Sequence, residues 1–226
     1  MNYLTVFVSS LLILVVSSMA SAQSMDFFDR TVEKKFDGIA AGLDFGYTHY
    51  KTENAQSTAL IGRSNNETFN WGFHGKWRFQ HDIGLMLGFT LNHMYLGDKS
   101  GAESRTKYTE EDVTYYTTQN VHSKTDLSVS VGYTLGAEYE WLLYSEIGLA
   151  SARLKMRDFS RDVGERALNT DVRSSFSKSG LLLGLGVEYA FSERILFHTK
   201  LNRTKLYQKT GVNEINMVST GFSYRF

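Results

Sequence analysis

From Leu127 to Tyr139 the chain alternates without a break. Leu127, Val129, Val131, Tyr133, Leu135, Ala137 and Tyr139 fall on one side, and Asp126, Ser128, Ser130, Gly132, Thr134, Gly136 and Glu138 on the other. A helix with its period of about 3.6 residues cannot hold that register, whereas successive side chains of a strand point to opposite faces. The segment reads as a strand with one apolar and one polar face. The carboxyl end repeats the pattern: counting back in twos from Phe226 gives Tyr224, Phe222, Thr220 and Val218, with Arg225, Ser223, Gly221 and Ser219 between them.

The same alternation recurs along the chain and marks eight strands. The first runs from Gly38 to Tyr50 with Ile39, Ala41, Leu43, Phe45 and Tyr47 on its apolar face; the second shows Phe69, Trp71, Phe73, Trp77 and Phe79 against Asn70, His74, Lys76 and Arg78. The third carries Ile83, Leu85, Leu87, Phe89 and Leu91, the fourth is Leu127–Tyr139, and the fifth runs to about Leu154 with Leu143, Ile147 and Leu149 outward. The sixth follows a charged segment, 156–175, and shows Leu181, Leu183, Leu185 and Val187, with Leu182 interrupting the alternation. The seventh sets Ile195, Phe197 and Leu201 against His198, Lys200 and Asn202, and the eighth ends the chain.

Charges sit on the face opposite the large apolar residues, which decides what surrounds the sheet. Asp44, His74, Lys76, Arg78, Glu138, Glu146, Glu188, Lys200 and Arg225 share the polar face, so a soluble calyx, with its apolar residues inside, is excluded. In lipid no water satisfies an open sheet edge, so the last strand must pair with the first. The fold class is all-β, an eight-stranded antiparallel up-and-down transmembrane barrel whose polar residues form an interior plug. The moderate composition, 42% hydrophobic and 21% charged, fits, because only alternate residues meet lipid. With 24 basic and 24 acidic residues there is no excess positive charge for nucleic acid, and with no cysteine there is no thiolate chemistry.

Residues 1–22 read as a signal peptide, with an apolar core from Leu4 to Val16 and Ala20-Ser21-Ala22 before the cut, although the start carries no Lys or Arg. Residues 23–37 form a short periplasmic lead-in, and 38–226 the barrel. Connections near 81, 140 and 192 are short and those near 58, 110 and 165 long, so the short ones face the periplasm. Aromatics gather in two bands: Trp77, Phe79, Trp141, Tyr189, Tyr224 and Phe226 at the short-turn end, Tyr47, Phe69, Trp71, Tyr95 and Tyr207 at the other.

The strand Leu127–Gly132, the segments Tyr144–Ala150 and Leu183–Tyr189, and the ending Gly221–Phe226 together resemble the Ail/Lom/OmpX-like small outer-membrane barrels, and more broadly the OmpA-type barrels. The chain is longer than typical members, and its 97–124 connection is larger. The resemblance implies that Phe222, Tyr224 and Phe226 are the signal read by the barrel-assembly machinery. It also implies a role in attachment to host cells or matrix proteins and in resistance to serum killing. Lys99, Arg105, Tyr108, Tyr115, Tyr116, Arg157, Arg161 and Arg166 are the loop residues expected to meet a partner, and the sequence 113–118 is expected to offer a strand edge for β-augmentation. The other partners expected are outer-membrane lipid and lipopolysaccharide; no nucleic acid, no cofactor and a monomer complete the reading.

Other chemistries fit less well. A lipid A deacylase would need His-x-Ser on a strand, and His198 is followed two residues later by Lys200. An omptin-type protease would need ten strands, and Glu110-Glu111-Asp112 with His122 is its thin counterpart here. An eight-stranded barrel is just filled by side chains, so a conducting pore is disfavoured. A barrel without a specific ligand remains the plain alternative.

Overall fold

The computed structural model describes residues 34–53, 64–96, 104–110, 113–136, 138–162, 171–207 and 211–226; within these, 104–119 and 156–162 are described by backbone and register alone. The proposed signal peptide, most of the lead-in, Lys99 and Arg166 lie outside the described residues.

Nine strands are present: β1 (Gly38–Glu53), β2 (Ser64–Gln80), β3 (Leu85–Leu96), β4 (Ser104–Glu110), β5 (Val113–Leu135), β6 (Trp141–Asp162), β7 (Asp171–Ala190), β8 (Ile195–Leu206) and β9 (Gly211–Arg225). All pair antiparallel, in the order β3-β2-β1-β9-β8-β7-β6-β5-β4, and β3 also pairs with β5 to close the ring. Eight strands therefore make the barrel, as the alternation requires. β4 is an addition, continuing the line of β3 along the upper half of β5 from Ser104↔Gln119 to Glu110↔Val113. Closure runs through β1 and β9, from Ala40↔Arg225 to Tyr50↔Ile215 before a register shift at Lys51/Thr52.

The two faces separate as the pleat dictates. On β5, Leu127, Val129 and Val131 are 58%, 43% and 48% exposed, while Asp126, Ser128 and Ser130 are buried. β3 and β8 alternate in the same way along their lengths. Leu182 resolves to the interior, so the apolar run of β7 is a strand whose one inward leucine fills the lumen.

Three boundaries differ from the sequence expectation. Ile83 lies in the β2–β3 turn, because Gly84 at φ +86 turns the chain and pairing begins only at Leu85. β5 stops at Leu135 rather than Tyr139: Gly136 at φ +99 and Tyr139 at φ 56 reverse the chain, and the Glu140 carboxylate accepts the Glu138 N–H at 3.0 Å. Of the segments expected as long loops, 97–124 and 156–175, residues 104–110, 113–124, 156–162 and 171–175 are strand. β5, β6 and β7 stay paired from Val113↔Asp162 and Phe159↔Asp171 downward, forming with β4 a sheet that continues past the exposed apolar stripe. The sequence 113–118 is consequently not an edge, being paired with β4 on one side and β6 on the other. Among the described residues the open edges of this sheet are β4 and the part of β7 above Gly180, where pairing with β8 begins.

The lumen is layered. At the short-turn end Phe36, Ala40, Met86, Leu142, Tyr144, Ala190 and Leu196 form one buried apolar cluster. At the opposite end Tyr50, Met94, Leu96, Val121, Ala152, Leu154, Leu206, Val212, Ile215 and Met217 form another. Phe36 belongs to the lead-in: its N–H donates to Gln80 Oε1 at 3.0 Å, and the Gln80 N–H donates to Asp37 Oδ1 at 2.9 Å. The start of the described chain is thereby tied under the barrel.

Candidate functional site

Between the two apolar layers lies a charged one. Because directly paired residues share a face, Asp44 on β1, His74, Lys76 and Arg78 on β2, Glu188 on β7, His198 and Lys200 on β8 and Ser223 on β9 all point inward, and all are buried. Asp44 is the hub. Its Oδ2 lies 2.9 Å from His74 Nδ1 and accepts from Lys200 Nζ at 3.2 Å, and its Oδ1 lies 2.5 Å from His198 Nε2. Glu188 is a second hub, accepting both Arg78 guanidinium nitrogens, Nη2 at 2.8 Å, and Lys76 Nζ at 2.8 Å. The bidentate geometry matches the planar Arg fork to a carboxylate, the strongest form of such a pair. Glu146 accepts from Ser128 Oγ at 3.0 Å, and Lys124 pairs with Asp126 at 3.1 Å. Gly221 makes the space: a Cβ there would collide with the Leu43 carbonyl and stand 2.9 Å from both Asp44 Oδ1 and His198 Cε1.

Two expected members of this plug belong elsewhere. Glu138 lies exposed in the β5–β6 turn, where its carboxylate meets Lys35 Nζ at 3.5 Å, because β5 ends before reaching it. Arg225 sits half-buried at the periplasmic rim and donates through Nη1 to the Lys34 carbonyl at 2.7 Å. Asp44, His74, Lys76, Arg78, Glu146, Glu188 and Lys200 are brought into the lumen. His198 and Ser223 join them. Both face inward by simple alternation, but nothing local in the sequence marks that Ser223 meets His74, 149 residues away.

Ser223 Oγ lies 2.9 Å from His74 Nε2, with Asp44 on the other ring nitrogen, an order of groups that serves nucleophilic hydrolysis when a substrate can reach the hydroxyl. Here Ser223 and His74 are both buried, at 1% and 2% exposure. The large concavity in the barrel wall, bordered by Phe45, Val129, Ile147 and Leu201, touches neither Ser223 nor His74. Asp44, His74 and His198 also bring three potential ligand atoms within 4.8 Å of one another. A divalent cation there would face the ammonium groups of Lys76, 3.4 Å from His198 Nδ1, and Lys200, 3.2 Å from Asp44. The donor set therefore does not fit a metal, and the arrangement reads as a charge-paired polar core.

Of the residues expected to meet a partner, Arg105 and Tyr108 stand on β4, Tyr115 and Tyr116 on β5, and Arg157 and Arg161 on β6. The register separates them into two faces. Tyr108 pairs with Tyr115, and Tyr115 with Ser160, on the face that continues the lumen side. Arg105 pairs with Thr118, Thr118 with Arg157, and Arg157 with Arg173, on the face that continues the lipid side.

No curated protein sequence matches the chain. Among solved structures, Ail of Yersinia pestis aligns at 14% identity over 84% of this chain and 100% of its own, with a TM-score of 0.46. Neisserial surface protein A aligns at 14% identity over 84% and 98%, with a TM-score of 0.45. The N-terminal β-barrel domain of Pseudomonas aeruginosa OprF aligns at 14% over 84% and 98%, with a TM-score of 0.44. The sequence model of the outer membrane protein beta-barrel domain matches residues 9–226. The chain belongs to the family of outer membrane protein β-barrel domains.

Proposed function

We propose that the protein is a display scaffold of the bacterial outer membrane, which holds the β4–β7 sheet above the lipid for contact with a partner on another surface, as an adhesin does. The observation that carries this reading is the continuation of β5, β6 and β7 as paired strands well past the lipid-facing residues, combined with a lumen that holds an apolar cluster at each end and a charge-paired layer between them. A pore would leave its axis open, and an enzyme would leave its nucleophile reachable. A protruding sheet with two open edges and few large apolar residues suits recognition by strand pairing and polar contact.

The test replaces residues 97–119 by a short Gly-containing turn, which removes β4 and the top of β5 while leaving the barrel pairing of β3 with β5 intact. Shortening a loop carries little entropic penalty, so the trimmed protein should still show a mobility that shifts on heating in SDS. Cells displaying it should lose attachment to epithelial cells or matrix proteins relative to cells displaying the full chain. Equal attachment by both would exclude β4 and the top of β5 as the contact.

A further inference from the structure

Above Gly180, where its pairing with β8 begins, β7 is held among the described residues on one side only, by β6 from Phe159↔Asp171 to Ser151↔Ser179. The Tyr207 N–H donates to the Ser179 carbonyl at 2.9 Å, which sets the phase of the strand. The N–H and C=O of one residue point to the same side of a strand, and the side alternates from residue to residue. Those of Ser175 and Ser177 therefore point away from β6, along the open side. Sheet edges are commonly blunted by proline, by a bulge or by charged side chains. Here the chain has no proline, the β6–β7 register runs without a shift, and Ser174, Ser175, Ser177 and Ser179 are short and exposed. A second backbone can approach this edge closely.

The side chains along the edge say what that backbone should carry. On the face that continues the lumen side, Phe176 is half-buried against the upper apolar cluster and Val172 is 58% exposed. Ser174 lies between them and leaves a notch. A partner strand makes its non-hydrogen-bonded pairs opposite these even positions, where side chains are closest and aromatic or β-branched neighbours gain most. The border of the stretch is basic. Lys178 Nζ lies 5.4 Å from the centre of the Phe176 ring, and on the other face the exposed Arg153 stands directly opposite the small Ser177. From 172 to 179 the strand carries no acid.

We propose that the open edge of β7, over residues 172–178, takes an extended segment of a partner protein as an added antiparallel strand, apolar on the positions that meet Val172, Ser174 and Phe176 and acidic on the alternate ones. This inference rests on the display reading and names which edge makes the contact and what chemistry it accepts. Main-chain hydrogen bonds supply affinity, while the notch and the basic border select the segment. β4 and β5 back the edge: a β6–β7 hairpin standing alone would be marginal, so trimming residues 97–119 also removes the rigid support of this site.

The experiment titrates the folded full-length chain in detergent micelles with the fluorescein-labelled peptide Glu-Val-Thr-Leu-Glu-Val-Thr, which sets its leucine opposite Ser174 and its first threonine opposite Ser175, and follows anisotropy. Ser175→Pro removes an N–H on the open side and leaves the β6 pairing alone, so it should bind the peptide on the order of 10-fold more weakly, while Ser175→Ala binds like wild type. Folding of each variant is read from its heat-shifted mobility. Should Ser175→Pro not fold, the peptide carries the test on the unaltered protein: N-methylation of the first threonine, whose N–H meets β7, should weaken binding by about the same factor, and N-methylation of the leucine, whose N–H points away, should not. A peptide with lysine in place of both glutamates should bind about 5-fold more weakly or worse. The proposal is overturned if the acidic peptide does not bind, if Ser175→Pro binds it like wild type, if both N-methylations act alike, or if the lysine peptide binds as well. On cells, attachment lost by the trimmed protein but kept by Ser175→Pro would overturn the β7 edge and leave the display reading standing.

Discussion

Asp44 illustrates how much one side chain carries in a lumen this narrow. It serves two imidazoles and one ammonium, and burial of that ammonium is tolerable only while the carboxylate is there. Breaking a buried pair by removing one partner costs about 3–5 kcal/mol, so Asp44→Asn should lower the unfolding midpoint in urea by that equivalent. Adding Lys200→Met should recover most of it, because the stranded charge is then gone; no recovery would show that Asp44 acts chiefly through the histidines. On the other face, Val131 is 48% exposed to the membrane. Val131→Arg should cost ~2–4 kcal/mol in bilayer refolding measurements, as a cation at mid-membrane on the lipid side does. A cost near zero would mean that Val131 does not face lipid.

At the scale of elements, the short lead-in and the turns it touches form a clamp under the barrel. Lys34 pairs with Asp82 at 3.0 Å, Lys35 with Glu138 at 3.5 Å, and Phe36 closes the lumen from below. Lys34 hydrogen-bonds Asp82 and holds its carboxyl below the usual carboxylate range. A depressed pKa means that the pair helps the folded state above the ordinary carboxyl range and is lost as pH falls through the lowered value. An NMR titration should therefore find the Asp82 midpoint below that of a free aspartate, and Lys34→Gln should return it to normal. An unchanged midpoint in the variant would dissolve the clamp at this corner. Phe36→Ala should cost about 3–5 kcal/mol if the ring packs as a core residue does, measured by urea unfolding.

The same scale shows what could be read from sequence. Wherever one face of a strand meets lipid, the period of two betrays it, which is why the barrel and the inward position of Glu188 or Lys200 are legible. Above the membrane both faces are polar, so the β6 stretch from Arg153 to Asp162 looks like a charged loop, although the register holds it as a strand. Glu138 shows the opposite error: alternation runs on through the turn at Gly136, where only backbone geometry ends the strand. Cross-lumen partners are beyond the reach of any local pattern. Asp44 and His198 meet across 154 residues because strand stagger and closure bring them level, and those properties belong to the ring.

As a whole molecule the protein is, over its described residues, a closed wall with a layered interior and a sheet projecting from one rim. Closure leaves no open edge in the barrel among the described residues, and the paired charges of the lumen sit between two apolar layers. The absence of cysteine from the sequence allows one measurement to examine orientation, facing and sealing together. Single cysteines at Val172 in the projecting sheet, Ser128 in the lumen and Glu193 in the β7–β8 turn would be exposed to a membrane-impermeant maleimide on intact cells and again after permeabilisation. Val172→Cys should label on intact cells, Glu193→Cys only after permeabilisation, and Ser128→Cys in neither case until the protein is unfolded. Labelling of Ser128→Cys on intact cells would mean an open lumen, and labelling of Glu193→Cys there would mean the barrel is inverted; either result contradicts the account.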